Sequence, residues 1–184
     1  GTGNTTIDFQ SKTDYGIDIT TDDVTIKSLK IINGNSDSVW TSFDDITLEN
    51  IVVHNSGGWG IYASSSEDLE ILNSVVSYSD GGGIYSGTNT EIKDSSIIDN
   101  NNLGIYIAGA NTNVKNSSVS GTTKDVCDNC SSYGYGIYIG VNNALLYNNT
   151  ISNNSDSGIH ANDASYGRYV NNRVVDNDNH GIKS

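Results

Sequence analysis

Positive charge is scarce in this chain. Nine Lys and Arg stand against 22 Asp and Glu, a formal net charge of −13. Binding to nucleic acid rests on basic residues that neutralise phosphates, so the composition argues against a nucleic-acid partner. No apolar run approaches the roughly 20 residues that a membrane-spanning helix needs, and no stretch reads as a signal peptide. Insertion into a membrane is therefore not expected. Proline and methionine are absent, and no proline-rich linker divides the chain. Its 184 residues, 35% of them hydrophobic, suffice for one thin core, read as a single domain over residues 1–184. Cysteine is nearly absent too. Cys127 and Cys130 form one Cys-x-x-Cys, which supplies only two metal ligands, with no second pair and no βαβ pattern around it. A small loop disulfide in an oxidising compartment is expected, with an intermolecular staple as the alternative. No window carries a helical i, i+3, i+4, i+7 stripe of useful length.

What the chain has in quantity is repetition. Gly16-Ile17-Asp18-Ile19, Gly60-Ile61-Tyr62-Ala63, Gly83-Ile84-Tyr85-Ser86, Gly104-Ile105-Tyr106-Ile107, Gly136-Ile137-Tyr138-Ile139, Gly158-Ile159-His160-Ala161 and Gly181-Ile182 are copies of one phrase. Ser38-Val39-Trp40-Thr41 is a degenerate copy. Most steps are close to 22 residues; one is longer, because about ten extra residues lie within 120–132. A second phrase, apolar-x-apolar-x-Asn/Asp-x-x-Val/Ile, follows each first one: Ile46-x-Leu48-x-Asn50-x-x-Val53 and Leu69-x-Ile71-x-Asn73-x-x-Val76 are examples. Alternation over such short runs signals strands, and the intervening Asn, Gly, Asp and Ser signal turns. Each unit buries its apolar face only by stacking on its neighbours. The expectation is an all-β solenoid: about seven coils, three short parallel sheets, and a rod of about 34 Å. The 25 Asn are expected to include inward, hydrogen-bonded ladder residues at the corner of Asn73, Asn116 and Asn148. Of five sequons, at Asn4, Asn116, Asn129, Asn148 and Asn153, those at Asn116 and Asn148 would then be buried.

From Gly16 to Ile182 the repeat resembles the right-handed parallel β-helix of the pectate-lyase-like superfamily, whose coils carry the same Gly-Ile and Asn-x-x-Ile phrases. The resemblance is specific for the fold. For activity it spans lyases, hydrolases, phage tail parts and adhesins. Lyases of this fold need a Lys or Arg base near calcium-binding acids, and hydrolases need paired acids. Here Arg168, Arg173, Asp156, His160, Asp176, Asp178 and His180 gather in the last coils, but the steps leave no long loops to wall a cleft. The reading leans away from an enzyme.

Aligned coils turn sequence columns into surface stripes. The x of Gly-Ile-x-Ile points to solvent and reads Trp40, Tyr62, Tyr85, Tyr106, Tyr138 and His160, a strip suited to stacking on sugar rings. Mutual stacking within the sheet and contact with another protein are the alternatives. A second column gathers Asp22, Asp23, Asp44, Asp45, Glu67 and Asp68 at one corner. Crowded carboxylates suit a hard cation, Ca²⁺, with a solvated acidic edge as the alternative; no cofactor is required. The ends read as uncapped, and joined as GIKS-GTGNTTIDF they resemble one internal coil, with Ile7 in the column of Ile92. This suggests either an excised segment or chains stacking end to end into a filament. Together these features describe an extracellular or cell-surface structural and adhesive rod touching glycan; the alternative is a carbohydrate-active module.

Overall fold

The computed structural model describes residues 5–10, 14–124, 133–162 and 166–184. These residues carry no helix and form three parallel sheets of eight, eight and seven strands. Each coil visits them in turn. The Gly-Ile phrase supplies the tyrosine sheet, the apolar-x-apolar run the middle sheet, and the following Val/Ile run the return sheet. Neighbours in every sheet come from successive coils, which is the topology of a parallel β-helix. The insertion leaves the register intact, since Ile105 and Tyr106 pair with Ile137 and Tyr138 across it.

The core is one column of aliphatic side chains. Ile61, Ile84, Ile105, Ile137 and Ile159 from the tyrosine sheet are fully buried. They meet Leu48, Ile71, Ile92, Val114 and Leu146 from the middle sheet and Ile31, Val53, Ile97, Val119 and Ile151 from the return sheet. Burying one such side chain contributes about 1.5–3 kcal/mol. The glycine of the repeat phrase is dictated by close approach. A Cβ on Gly104 would lie 2.5 Å from the Gly136 carbonyl oxygen and 2.6 Å from a Val119 methyl. At Ser38, the degenerate copy, the hydroxyl is instead accommodated by a buried 2.5 Å hydrogen bond with Ser56 Oγ.

The corners explain the asparagine content differently from the sequence reading. Among the described residues, twenty-two non-glycine residues have positive φ, twelve of them Asn and six Asp. These are the L-residues that tolerate left-handed backbone best. Asn73, Asn116 and Asn148 belong to this set, with φ of 50°, 51° and 55°, and their side chains are exposed. The inward assignment is thus corrected: the left-handed residue turns its own Cβ outward and delivers the next residue to the interior. Asn116 and Asn148 still form a ladder, but an outer one, with Asn148 Nδ2 donating to Asn116 Oδ1 at 3.0 Å. Their sequons lie on the surface. The buried ladder is one residue later. The Ser74 and Ser95 N–H groups donate to Ser95 Oγ and Ser117 Oγ, both at 3.1 Å. The Ser117 N–H donates to Asn149 Oδ1 at 2.9 Å and the Asn149 N–H to Asn172 Oδ1 at 3.0 Å. A second inner column, not foreseen, lies between the return and tyrosine sheets, with rungs from the Ser79 N–H to Asn100 Oδ1 and from the Thr122 and Asn154 N–H groups to Asn154 and Asn177 Oδ1. Each rung satisfies a backbone N–H that the corner would otherwise leave buried and unpaired.

A further correction concerns Ile7. Strand Thr5–Asp8 pairs with Leu29–Ile32, placing Ile7 beside Ile31 in the return sheet. It does not stand in the column of Ile92, which belongs to the middle sheet. The joined phrase therefore does not reproduce the internal coil to which it was likened.

Candidate functional site

Strand alternation sends the central residue of each Gly-Ile phrase outward, and the parallel register stacks these residues in one line. Asp18 pairs with Trp40, Trp40 with Tyr62, and Tyr62 with Tyr85. Tyr85, Tyr106, Tyr138, His160 and Lys183 continue the line. From Trp40 to His160 each side chain is half-buried. The rings touch along the column. Centroids of Tyr62 and Tyr85 lie 4.8 Å apart, Tyr85 and Tyr106 4.6 Å, Tyr106 and Tyr138 5.1 Å, and Tyr138 and His160 5.3 Å. Interplanar angles of 40–82° make these tilted and edge contacts, the arrangement aromatic quadrupoles favour. Part of each ring face is used by its neighbour.

The sequence reading missed a second column beside the first, in which Tyr15, Trp59 and Tyr135 add three rings. It consists of residues immediately before the glycine of the phrase, three positions ahead of the stripe and on the same outward face. Tyr15 packs on Trp40 at 5.5 Å, and Trp59 on Tyr85 at 5.2 Å. Tyr135 lies 5.9 Å from Tyr138 and 4.4 Å from His160. The Trp59 ring covers Gly82, where any Cβ would come within 2.5 Å of it. Tyr133 adds a further ring against Tyr135 and Tyr138. The signal was present as aromatics at i and i+3 within repeats, but only the Gly-Ile column repeats often enough to be noticed. Between the two clusters the second column holds Leu103, and there the strip opens into a notch of about 100 Å³ bounded by Leu103, Tyr106, Tyr133 and Tyr138.

Burial raises the pKa of Tyr85, helped by Tyr106 and Tyr62 and a hydrogen bond with Tyr106. Burial likewise raises that of Tyr135, with Asp156, Tyr133 and Tyr138 adding to it. These two phenols stay protonated near neutral pH. Burial lowers the His160 pKa, and Lys183 lowers it further against an opposing effect of Asp156, so the imidazole is neutral there too. Asp156 does not pair with His160 as an acid–base couple. Burial raises its pKa, but hydrogen bonds from Asn179, Lys124 and Ser157 outweigh that and lower it. Its Lys124 ion pair is 3.0 Å long.

The acidic corner divides by role. Asp22 Oδ1 accepts the Asp44 N–H at 3.0 Å, and Asp44 Oδ1 accepts the Glu67 N–H at 2.8 Å. Asp23, Asp45 and Asp68 are the left-handed residues, φ 55–58°, and are exposed. Desolvation and the charges of Asp23, Asp68, Asp44 and Asp22 raise the Asp45 pKa. Lower in the same column amides replace the acids: Asn111 donates to Asn89 at 3.1 Å and Asn143 to Asn111 at 3.4 Å. Beside the column a groove of about 400 Å³ runs over the middle sheet, lined by Asp45, Asp68, Glu70 and Glu91 with Thr47 and Asn113. Among the described residues no three His, Cys, Asp or Glu side chains converge as metal ligands would. Cys127 and Cys130, with the sequon residues Asn4 and Asn129, lie outside the described residues. No helix of the described residues is long and apolar enough to cross a membrane.

The family model described as "Right handed beta helix region" matches residues 2–127 and 86–184. Among solved structures, pectate lyase Pel9A is similar with a TM-score of 0.72 at 15% identity, over 90% of this chain and 51% of that one. An alginate lyase from Paenibacillus sp. str. FPU-7 gives 0.58 at 15% identity, over 95% of this chain and 78% of that one. Full-length tailspike protein 2 from Escherichia coli O157:H7 bacteriophage CAB120 gives 0.54 at 16% identity, over 80% and 20%. The chain thus spans about half of the pectate lyase and a fifth of the tailspike. At these identities the likeness is one of fold. No curated protein matches the sequence.

Proposed function

The chain belongs to the right-handed β-helix family, and we propose that it is an extracellular rod that binds polysaccharide along its tyrosine sheet. The observation that carries this reading is the doubled aromatic strip. Mutual stacking to stabilise the sheet accounts for one column of rings. It does not account for the rings of Tyr15, Trp59 and Tyr135 that widen the strip, or for the open notch between Leu103, Tyr106, Tyr133 and Tyr138. A surface combining apolar ring area with hydroxyls suits pyranoses, which present C–H faces and equatorial hydroxyls together. Two of the similar structures are named for polysaccharides, pectate and alginate, which supports carbohydrate as the ligand class.

Binding without turnover is the form of the reading that fits the strip: Asp156, the carboxylate beside Tyr135 and His160, is held by Lys124 and Asn179. A second reading, a carbohydrate-active module, draws on the acidic groove over the middle sheet. Affinity electrophoresis on immobilised polysaccharides, with the double variant Tyr85→Ser/Tyr106→Ser, tests the first. Retention by the wild type and its loss in the variant are expected; equal migration of both proteins on every matrix that retards either would sink the reading. Unsaturated, ultraviolet-absorbing ends released from an acidic polysaccharide would favour the second.

A further inference from the structure

One corner column holds residues suited to left-handed backbone, with a single exception. Where the return sheet ends, the register stacks Asn33, Asn55, Tyr78, Asp99, Gly121 and Asn153 in one line. All have φ between 54° and 69°. Five are Asn, Asp or Gly, which adopt that conformation at little cost; a tyrosine there is an outlier. Burial does not compensate it, because Tyr78 is 52% exposed. A strained residue kept at the surface points to a use for its side chain.

The ring is held from both sides. It makes an edge contact with the His54 ring, centroids 5.0 Å apart, and His54 is itself fixed by a 3.1 Å hydrogen bond between Nδ1 and Ser77 Oγ. In the next coil Asp99 accepts a hydrogen bond from the phenol. Gly121 beyond it leaves room for that carboxylate, which any Cβ there would strike. The phenol is thus engaged, and what Tyr78 offers to solvent is ring surface. A ring already immobilised loses little further freedom when a ligand stacks on it.

Beside the ring lies an open depression lined by Asn55, Asp80, Asp99 and Asn101. Its hydrogen-bond donors are largely committed within the rod. Asn55 Nδ2 donates to Asn33 Oδ1 at 2.8 Å, and Asn101 Nδ2 to Asp80 Oδ1 at 3.3 Å. Among the described residues no ion pair engages Asp80 or Asp99. The depression therefore presents acceptors next to an aromatic face. We infer that this corner is a second sugar-contact site, which stacks the C–H face of one pyranose on Tyr78 and takes its hydroxyl hydrogens on Asp80 and Asp99. A uronate would bring like charge to both carboxylates, so the site selects neutral sugars. It lies on the return sheet and can fail or stand apart from the reading of the tyrosine sheet.

Tyr78→Asn gives this corner the residue type its column already uses. It removes the ring and relieves the backbone, so Tm should hold or rise. Affinity electrophoresis of the full chain through glucomannan and polygalacturonate gels, with calorimetry on the same samples, compares wild type, Tyr78→Asn, Tyr85→Ser/Tyr106→Ser and the triple variant. On glucomannan Tyr78→Asn is expected to bind roughly tenfold more weakly than wild type, the scale of one lost ring contact, and the triple variant more weakly than the double. Polygalacturonate is expected not to retard the double variant. Equal retardation of wild type and Tyr78→Asn on glucomannan, or none of the wild type, would overturn the inference. A Tm several degrees lower in Tyr78→Asn would assign the ring to the fold and overturn it too. Retardation of the double variant by polygalacturonate, lost in the triple, would overturn the neutral class. Loss of binding in Tyr78→Asn with the double variant at wild-type strength would support the corner and overturn the tyrosine-sheet reading.

Discussion

Asn148 and Asn149 are neighbours of the same type with opposite fates. Asn148 sits at φ 55°, exposed, and bonds to Asn116 in the next rung of an outer ladder. Asn149 is 2% exposed. Its Oδ1 accepts the Ser117 N–H, and its Nδ2 donates to the Val114 carbonyl at 2.8 Å and to Asn172 Oδ1 at 3.0 Å. Asn171 and Asn172 repeat the pair one coil on, Asn171 left-handed and exposed, and Asn172 bonded to the Leu146 carbonyl. Residue type permits both roles; the handedness of the backbone at the corner assigns them.

Breaking the inner member should cost the most. Asn149→Ala leaves the Ser117 N–H buried without its acceptor and removes the buried amide bonds to the Val114 carbonyl and Asn172, a loss of about 2–3 kcal/mol. A Tm lower by roughly 10 °C is expected in calorimetry; a drop within a degree or two would deny the inner ladder its role. Asn148→Val tests the outer member. A β-branched residue in left-handed backbone costs about 1–2 kcal/mol, whereas Asn148→Gly should be nearly neutral because glycine adopts that conformation freely. Equal melting of the two variants would show that the conformation is not what Asn148 supplies.

The corner before the middle sheet sharpens the contrast between acid and amide on one backbone. Asp45 has its pKa raised in the folded rod, by desolvation and then by Asp23, Asp68, Asp44 and Asp22. A carboxyl raised in the folded state binds its proton more readily there than in the unfolded chain. Its ionisation therefore opposes folding, and the penalty is relieved as pH falls through the raised folded value. Asp45→Asn, which extends the amide series of Asn89, Asn111 and Asn143, should raise Tm slightly at pH 7, with the difference closing as pH approaches 4. A constant difference across that range would remove the electrostatic cause. Asp156 works in the other direction: its lowered pKa keeps its contribution intact until pH falls below the ordinary carboxylate range. The smallest effect expected is that of calcium on the acidic half. Neutralising the Asp23, Asp45 and Asp68 column should raise the wild-type Tm more than that of Asp45→Asn; equal shifts would assign the rise to general screening.

Much of the fold was legible because the solenoid writes its period into the chain. The alternation around Ile61, Ile84 and Ile105 reads directly as inward isoleucines and an outward aromatic, and the structure places Tyr62, Tyr85, Tyr106 and Tyr138 in one column. The glycine before them is legible as a repeat, though its cause, the carbonyl of the next coil 2.5 Å from any Cβ, is not. The candidate surface was only half visible. Trp59, Leu103 and Tyr135 share a column with Gly82 and Ser157, so no residue type recurs there to mark it. The inner ladder at the corner of Asn73, Asn116 and Asn148 was misplaced by one residue, since Asn at a turn and Asn in a core look alike in sequence, and the second inner column was not foreseen.

The sequence by itself determined the period, the three strands per coil, the inward and outward alternation and the acidic charge, because each is a property of residue order and composition. Tertiary structure decided which asparagine of each pair faces the core, where the second aromatic column falls, and where the strip opens into a notch. Those depend on left-handed corners and on side chains from different coils meeting in space, and neither is local in the sequence.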